Sequence, residues 1–341
     1  SPPSIETACK FIKQPSIQEC RKTKLFEGFP NGCTIPTEIG LLTALTSLSL
    51  YEVGPCISAG TIPSTIGRLT GLRYLSFQEN FFTGTLPSEI GKLTALTYLD
   101  FSLNQFSGSI PSSISKLSNL RDLALWSNKF SGSIPSDVKN LSHLENLSLS
   151  NNRLTGSIPF PALSVTAVKR IDLSGNMLVG TISSFIEKLT KLEYLGLSEN
   201  SLEGEIPSSI GKLTPLRYLI LGNNFLKGKI PSTIGRLTKL GSLELANNAL
   251  SGSIPSNVGF LTQLSTLYLD RNKLKGSIPS SFGTLTNLLN LELDSNELIG
   301  SIPSSLCKPG VVVKEFEVDC QELSCECCIS GETKKKCPMN V

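Results

Sequence analysis

The sequence predicts an α/β solenoid with a parallel concave β-sheet, short 3₁₀ or helical turns on the convex side, and ends stapled by disulfides. Three observations carry this prediction. Asparagines recur every 24 residues, at Asn80, Asn104, Asn128, Asn152, Asn176, Asn200, Asn224, Asn248, Asn272 and Asn296. Apolar residues alternate ahead of each one, as in Leu99-Asp100-Phe101. All ten cysteines lie outside the stretch, four before it and six after. A fixed period of this size is the mark of stacked repeats, each of which cannot bury its apolar side alone.

Each part of the repeat has a physical task. The shared template is L-x-x-L-x-x-L-x-L-x-x-N-x-L-x-G-x-I-P-x-x-I-G-x, and residues 93–116 are one copy. The L-x-L alternation has the period of a strand, with two side chains inward and their neighbours outward. Eleven such coils run from Leu48-Leu50 to Leu291-Leu293. The asparagine turns inward, where its amide satisfies backbone groups that would otherwise be buried unpaired. In Gly108-Ser109-Ile110-Pro111 the glycine lets the chain bend, and the proline favours an extended return path. The segment after the proline is too short for a full helix, so a 3₁₀ turn is expected. Two coils depart on the outer side, at Ile158-Pro159-Phe160-Pro161-Ala162 and at Thr181-Ile182-Ser183-Ser184, while keeping the residue count.

Composition narrows the class. Apolar residues are 39 % of the 341 and charged residues 17 %, enough for a continuous core and too little charge for a disordered chain. A net charge of +3 implies no nucleic-acid partner. No apolar run is long enough to span a membrane. The organisation expected is an N-terminal cysteine cap over 1–44, the solenoid over 45–306 and a C-terminal cysteine-rich cap over 307–341. The cysteines are Cys9, Cys20, Cys33 and Cys56, then Cys307, Cys320, Cys325, Cys327, Cys328 and Cys337. Even terminal clusters read as disulfides made in an oxidising compartment, outside the cell. Zinc is the weaker reading of Cys325-Glu326-Cys327-Cys328, because the chain has a single histidine, His143, far away. Cys56 falls in a short insertion about one coil after Cys33, a spacing that suits a disulfide between adjacent layers and leaves Cys9 for Cys20. The six C-terminal cysteines stay unassigned.

These residues resemble the plant-specific class of leucine-rich repeats, whose mark is the L-x-G-x-I-P segment. It appears here as Phe106-Ser107-Gly108-Ser109-Ile110-Pro111, Leu202-Glu203-Gly204-Glu205-Ile206-Pro207 and Leu226-Lys227-Gly228-Lys229-Ile230-Pro231. The resemblance covers about residues 33 to 306. It implies a right-handed superhelix with a second small sheet around the G-x-I-P segment. It further implies a role like that of receptor-kinase ectodomains, receptor-like proteins or secreted inhibitors of pectin-degrading enzymes. The N-terminal cysteines lack the Cys-x-Trp-x-Gly-Val-x-Cys pattern of plant receptors. The C-terminal Val318-Asp319-Cys320 with Cys325-Glu326-Cys327-Cys328 is instead similar to the tails of secreted repeat proteins in diatoms.

The concave face is readable because its side chains alternate with buried leucines. One outward column runs Tyr74, Tyr98, Asp122, Asn146, Arg170, Tyr194, Tyr218, Ser242, Thr266, Asn290. A second includes Ser76, Asp100, Gly196, Ile220, Glu244, Tyr268 and Glu292, and a third includes Ser102, Trp126, Asp270 and Asp294. Exposed aromatics beside arginines are enriched at binding hot spots. Tyr74, Tyr98, Arg121, Asp122 and Trp126 are therefore the first candidate contact surface. Tyr194, Arg217, Tyr218 and Ile220 are the second, and an acidic third is made by Glu244, Tyr268, Asp270, Glu292 and Asp294. The structural alternative is that tyrosines fill outward strand positions through β-propensity alone. Sequons occur at Asn140-Leu141-Ser142 and Asn146-Leu147-Ser148, with Asn140 expected on the outer side and Asn146 on the concave strand.

Enzyme chemistry finds no support. One histidine removes His-ligated metals and most nucleophile-base pairs, and the acidic pairs sit on an open surface with nothing to desolvate one partner. No phosphate loop is present and no cofactor is expected. The expected function is extracellular recognition of a protein, peptide or polysaccharide through the concave sheet and flank. The protein would be a secreted form or a receptor ectodomain, monomeric alone, with a membrane anchor or kinase domain after Val341 left open. Two alternatives stand beside it. One is inhibition of a cell-wall hydrolase, implied only by the likeness to pectinase inhibitors. The other is adsorption to a surface such as ice by the hydroxyl row Thr61, Thr85, Ser109, Ser133, Ser157, Thr181, Ser253, Ser277 and Ser301, which Glu205 and Lys229 interrupt.

Overall fold

The computed structural model describes residues 37–50, 60–163 and 167–303, together with Ile35, Leu306 and the short strands Glu315–Glu317 and Leu323–Ser324. The ten cysteines, and with them the expected Cys33–Cys56 pairing and the stapled ends, lie outside the described residues. The chain forms two compact units, 1–168 and 169–341, and each is an α/β solenoid.

In the first unit, five three-residue strands build one parallel sheet: Ser47–Ser49, Tyr74–Ser76, Tyr98–Asp100, Asp122–Ala124 and Asn146–Ser148. After the first pair, successive strands align at 24 residues, Tyr74 with Tyr98, Tyr98 with Asp122 and Asp122 with Asn146. A second, smaller sheet comprises Thr83–Gly84, Gln105–Ser109, Lys129–Ser133 and Arg153–Thr155. The 3₁₀ turns Ser64–Arg68, Ser88–Lys92, Ser112–Lys116 and Ser136–Asn140 follow a proline each, and the expected short helical segment is seen in every one. At the first irregular coil the turn is a four-residue α-helix instead, Phe160–Leu163.

The second unit repeats the plan. Its first sheet runs Arg170–Asp172, Tyr194–Gly196, Tyr218–Ile220, Ser242–Glu244, Thr266–Tyr268, Asn290–Glu292 and Glu315–Glu317. Its second sheet runs from Val179–Thr181 to Glu297–Leu298. At the other irregular coil Ser183 replaces the proline, and its hydroxyl accepts the Phe185 N–H, so the 3₁₀ turn Ser184–Lys188 still forms.

The template leucines and isoleucines form the core, and most have no solvent exposure. In the first unit phenylalanines take several of these places. Phe77 and Phe101 stack at 5.3 Å, and Phe82, Phe106 and Phe130 stack at 5.9 and 6.2 Å. The asparagine ladder closes what the leucines leave open. Asn104 Nδ2 donates to the carbonyls of Phe77, Phe101 and Ser102, while its Oδ1 accepts the Phe82 N–H at 3.0 Å. The residue ahead of each asparagine is left-handed, with φ of 51–57° at nine non-glycine positions such as Leu103 and Asn223. That conformation costs roughly 1–2 kcal/mol. It turns consecutive N–H groups toward the next coil: Leu103 N–H donates to Trp126 O and Asn104 N–H to Ser127 O. Sequence reasoning did not anticipate it.

Candidate recognition surface

The first sheet of each unit alternates buried leucines with outward positions, most of which reach solvent, while Ser76, Asp100, Ser102, Ser242 and Asp270 of the outward columns are buried. In the first unit Tyr74 and Tyr98, adjacent in register, stack with ring centroids 4.6 Å apart and planes within 4°. Tyr98 donates to Asp100 Oδ2 at 3.0 Å, and Asp100 Oδ1 accepts both the N–H and the hydroxyl of Ser102. Asp100 and Ser102 are buried, so they do not face a ligand as their columns suggest. They anchor the tyrosine stack from below. Burial, and then the Asp100 carboxylate, push the Tyr98 phenol far above its usual range.

Asp122 sits beside Tyr98 and accepts a hydrogen bond from Asn146 Nδ2. Arg121 pairs with Glu145 at 2.6 Å. Trp126 is half-buried, and among the described residues no ring contact joins it to the tyrosines. A shallow recess opens beside the stack, lined by Arg73, Ala95, Thr97, Asn119, Arg121 and His143. His143 is exposed, with Nδ1 2.9 Å from Ser118 O. Of the two sequons, Asn140 ends a 3₁₀ turn and is exposed, whereas Asn146 is half-buried and engaged with Asp122.

In the second unit Tyr194 and Tyr218 are adjacent in register with ring centroids 5.7 Å apart, tilted by 43°. Arg170, outside the second candidate set, belongs to this cluster: its guanidinium lies 3.5 Å from the Tyr194 ring centre and 3.0 Å from Asp172. The sequence signal was its place one rung before Tyr194 and two residues before an acid. Gly196 makes room for this layering. A Cβ there would come within 2.8 Å of Asp172 Oδ1 and 2.9 Å of Tyr194 Cε1. Burial raises the Tyr194 phenol, reinforced by Asp172 and partly offset by Arg170. Arg217 stands 3.9 Å from Glu193, Tyr218 is 46 % exposed, and Ile220 aligns with Gly196.

In the acidic set, Glu244, Tyr268 and Glu292 align across three strands and Glu244 accepts the Ser242 hydroxyl. Asp270 is buried, which sets it apart from the rest of the acidic set. Among the described residues no group of three or more His, Cys, Asp or Glu is placed to hold a metal. Nor is any helix there long and apolar enough to cross a membrane.

The sequence profile described as a leucine-rich repeat region matches residues 52–158, and the leucine-rich-repeat profile matches 191–213, 215–237 and 263–285. No curated protein matches the sequence. Among solved structures the chain is similar to a TDR receptor, with 31 % identity and a TM-score of 0.78 over 86 % of this chain and 50 % of that one. It is likewise similar to the ectodomain of the Arabidopsis receptor kinase HAESA in complex with an IDA peptide hormone ligand, with 34 % identity and a TM-score of 0.78 over 86 % of this chain and 48 % of that one. A plant ice-binding protein shares 30 % identity and a TM-score of 0.63 over 73 % of this chain and 80 % of that one. The chain thus spans about half the length of the two receptor structures.

Proposed function

Because the chain belongs to the plant-type leucine-rich-repeat proteins, we propose that it works outside the cell as a non-enzymatic recognition module. Its ligand is an extended peptide or protein segment laid along the open side of a first sheet. The observation that carries this reading is the contrast between a strictly repeated frame and an unrepeated set of aromatic and charged side chains on one face. In the first unit that face joins the Tyr74–Tyr98 stack to the recess between Arg73 and Arg121, which offers a flat apolar surface beside cationic donors. Aromatic and arginine anchors are where interface energy concentrates. Likeness to a receptor ectodomain holding a peptide hormone supports the same ligand class.

The test pairs a peptide-display library and a glycan array with the wild type and the Tyr98→Ala/Trp126→Ala variant. A set of peptides should bind the wild type and lose about thirtyfold or more with the variant, the effect of removing roughly 2 kcal/mol of anchor. Equal binding by both proteins removes this patch, and a glycan-only response removes the peptide.

A second reading is favoured by the likeness to the plant ice-binding protein, of which the chain covers 80 %. In it, a regular outer face of the solenoid adsorbs to ice. The discriminating measurement is inhibition of ice recrystallisation by the wild type.

A further inference from the structure

The hydroxyl row that looks broken in the sequence is unbroken within the first unit. Thr85, Ser109, Ser133 and Ser157 stand one coil apart and all are exposed. A second column runs beside them, Thr83, Ser107, Ser131 and Thr155, half-buried except for the exposed Thr155. Backbone pairing in the second sheet meshes the two columns, setting Ser109 against Ser131 and Ser133 against Thr155. Eight hydroxyls thus stand on four consecutive coils, and the register sets two exposed cations beside them, Lys129 against Ser107 and Arg153 against Ser131.

Packing seats the methyl of Thr85. At Gly108, with φ of +75°, a Cβ would lie 2.7 Å from the Thr85 γ-methyl, so the missing side chain lets that methyl rest on the neighbouring coil. Gly84 receives the Thr61 methyl in the same way, at 2.9 Å. Ser107 Oγ donates to Gly84 O at 3.4 Å. In the second unit the matching positions carry Glu203, Glu205, Lys227, Lys229 and Lys275, all exposed. Within the two hydroxyl columns themselves the interruptions are confined to that unit.

We propose that this hydroxyl face of the first unit is the surface that adsorbs to ice, an inference that rests on the second reading above. Ice presents uncharged donors and acceptors at fixed spacing in two directions. A hydroxyl both donates and accepts. The sheet repeats it at about 4.8 Å between coils and about 6.6 Å between alternate residues of a strand. A protein partner would call instead for the aromatic and arginine anchors of an interface, which these eight positions lack.

The test uses the full chain in an ice-recrystallisation assay and in partition of the labelled protein into a growing ice front. Ser109→Glu/Ser133→Lys places on this face the charges that Glu205 and Lys229 already occupy in equivalent coils, so the fold tolerates them. Ser253→Glu/Ser277→Lys is the same change in the second unit. The wild type and the second-unit variant should retard recrystallisation and enter the ice, and the first-unit variant should lose both properties with an unchanged melting curve. An inactive wild type overturns the ice reading and the inference together. An active wild type with an equally active first-unit variant overturns only the assignment of the face, as does loss of activity in the second-unit variant.

Discussion

Replacing Asn200 by alanine removes one rung of the buried amide ladder, and the structure sets the size of the loss. Asn200 is 8 % exposed. Its Nδ2 donates to the carbonyls of Leu173, Leu197 and Ser198 at 3.0, 3.1 and 3.0 Å, and its Oδ1 accepts the Leu178 N–H at 3.0 Å. Two hydrogens serve three carbonyls, so one bond is shared. The variant strands the Leu178 N–H, at roughly 1–3 kcal/mol for a buried group left unpaired. The three carbonyls lose one donor each and keep another: Asn176 Nδ2 at Leu173 O, Asn224 Nδ2 at Leu197 O and the Gly175 N–H at Ser198 O. With the weakened carbonyl hydrogen bonds added and water reaching the vacated site offsetting part of the loss, about 2–3 kcal/mol is expected overall. Urea unfolding followed by the near-ultraviolet dichroism of Tyr194 and Tyr218 reads the loss, with exposed Glu203→Ala as a control expected within about 0.5 kcal/mol. Asn200→Asp should cost more than alanine, since a carboxylate would face three carbonyl oxygens with no donor. If Asn200→Ala stays within about 1 kcal/mol of the wild type, the amide ladder is not what satisfies the interior.

Two further outcomes follow from the site. Burial and Asp100 raise the Tyr98 phenol above its unfolded value of 10.0, so the folded state holds that proton more tightly. The associated stability is complete below pH 10.0 and is lost as pH rises from there toward the folded value. Stability measured across this alkaline range should fall less steeply in Tyr98→Phe than in the wild type, and identical slopes would refute the Asp100 anchor. Expressed through a eukaryotic secretory pathway, the chain should carry an N-glycan at exposed Asn140 and none at Asn146, whose amide is held by Asp122. Peptide mapping after enzymatic deglycosylation reads both sites, and an occupied Asn146 would close the first unit's sheet to a long ligand.

What was legible in the sequence is whatever a strict period forces. Leucines spaced for a three-residue strand leave only one way to assign Tyr74, Tyr98 and Asp122 to the open side, and the register bears that out. The depth of each outward position was not legible, because it depends on the neighbouring rung rather than on alternation. Asp100 and Asp270 occupy outward places and are buried all the same, Asp100 beneath the phenol it anchors. Arg170 entered the second cluster because Gly196 lets the Tyr194 ring lie low enough to be covered. A missing side chain leaves no pattern of its own.

The left-handed residue before each asparagine was hidden for a related reason. Glu79, Leu103, Ser127 and Arg271 share the conformation and no chemistry, and only Gly175 and the asparagines Asn151, Asn223 and Asn247 are of residue types that favour it. The cost is met by hydrogen bonds to the next coil, such as Asn223 N–H to Ala246 O and Asn224 N–H to Asn247 O. Their donors and acceptors are backbone groups that every residue carries. Side-chain identity at that position is therefore free of the fold.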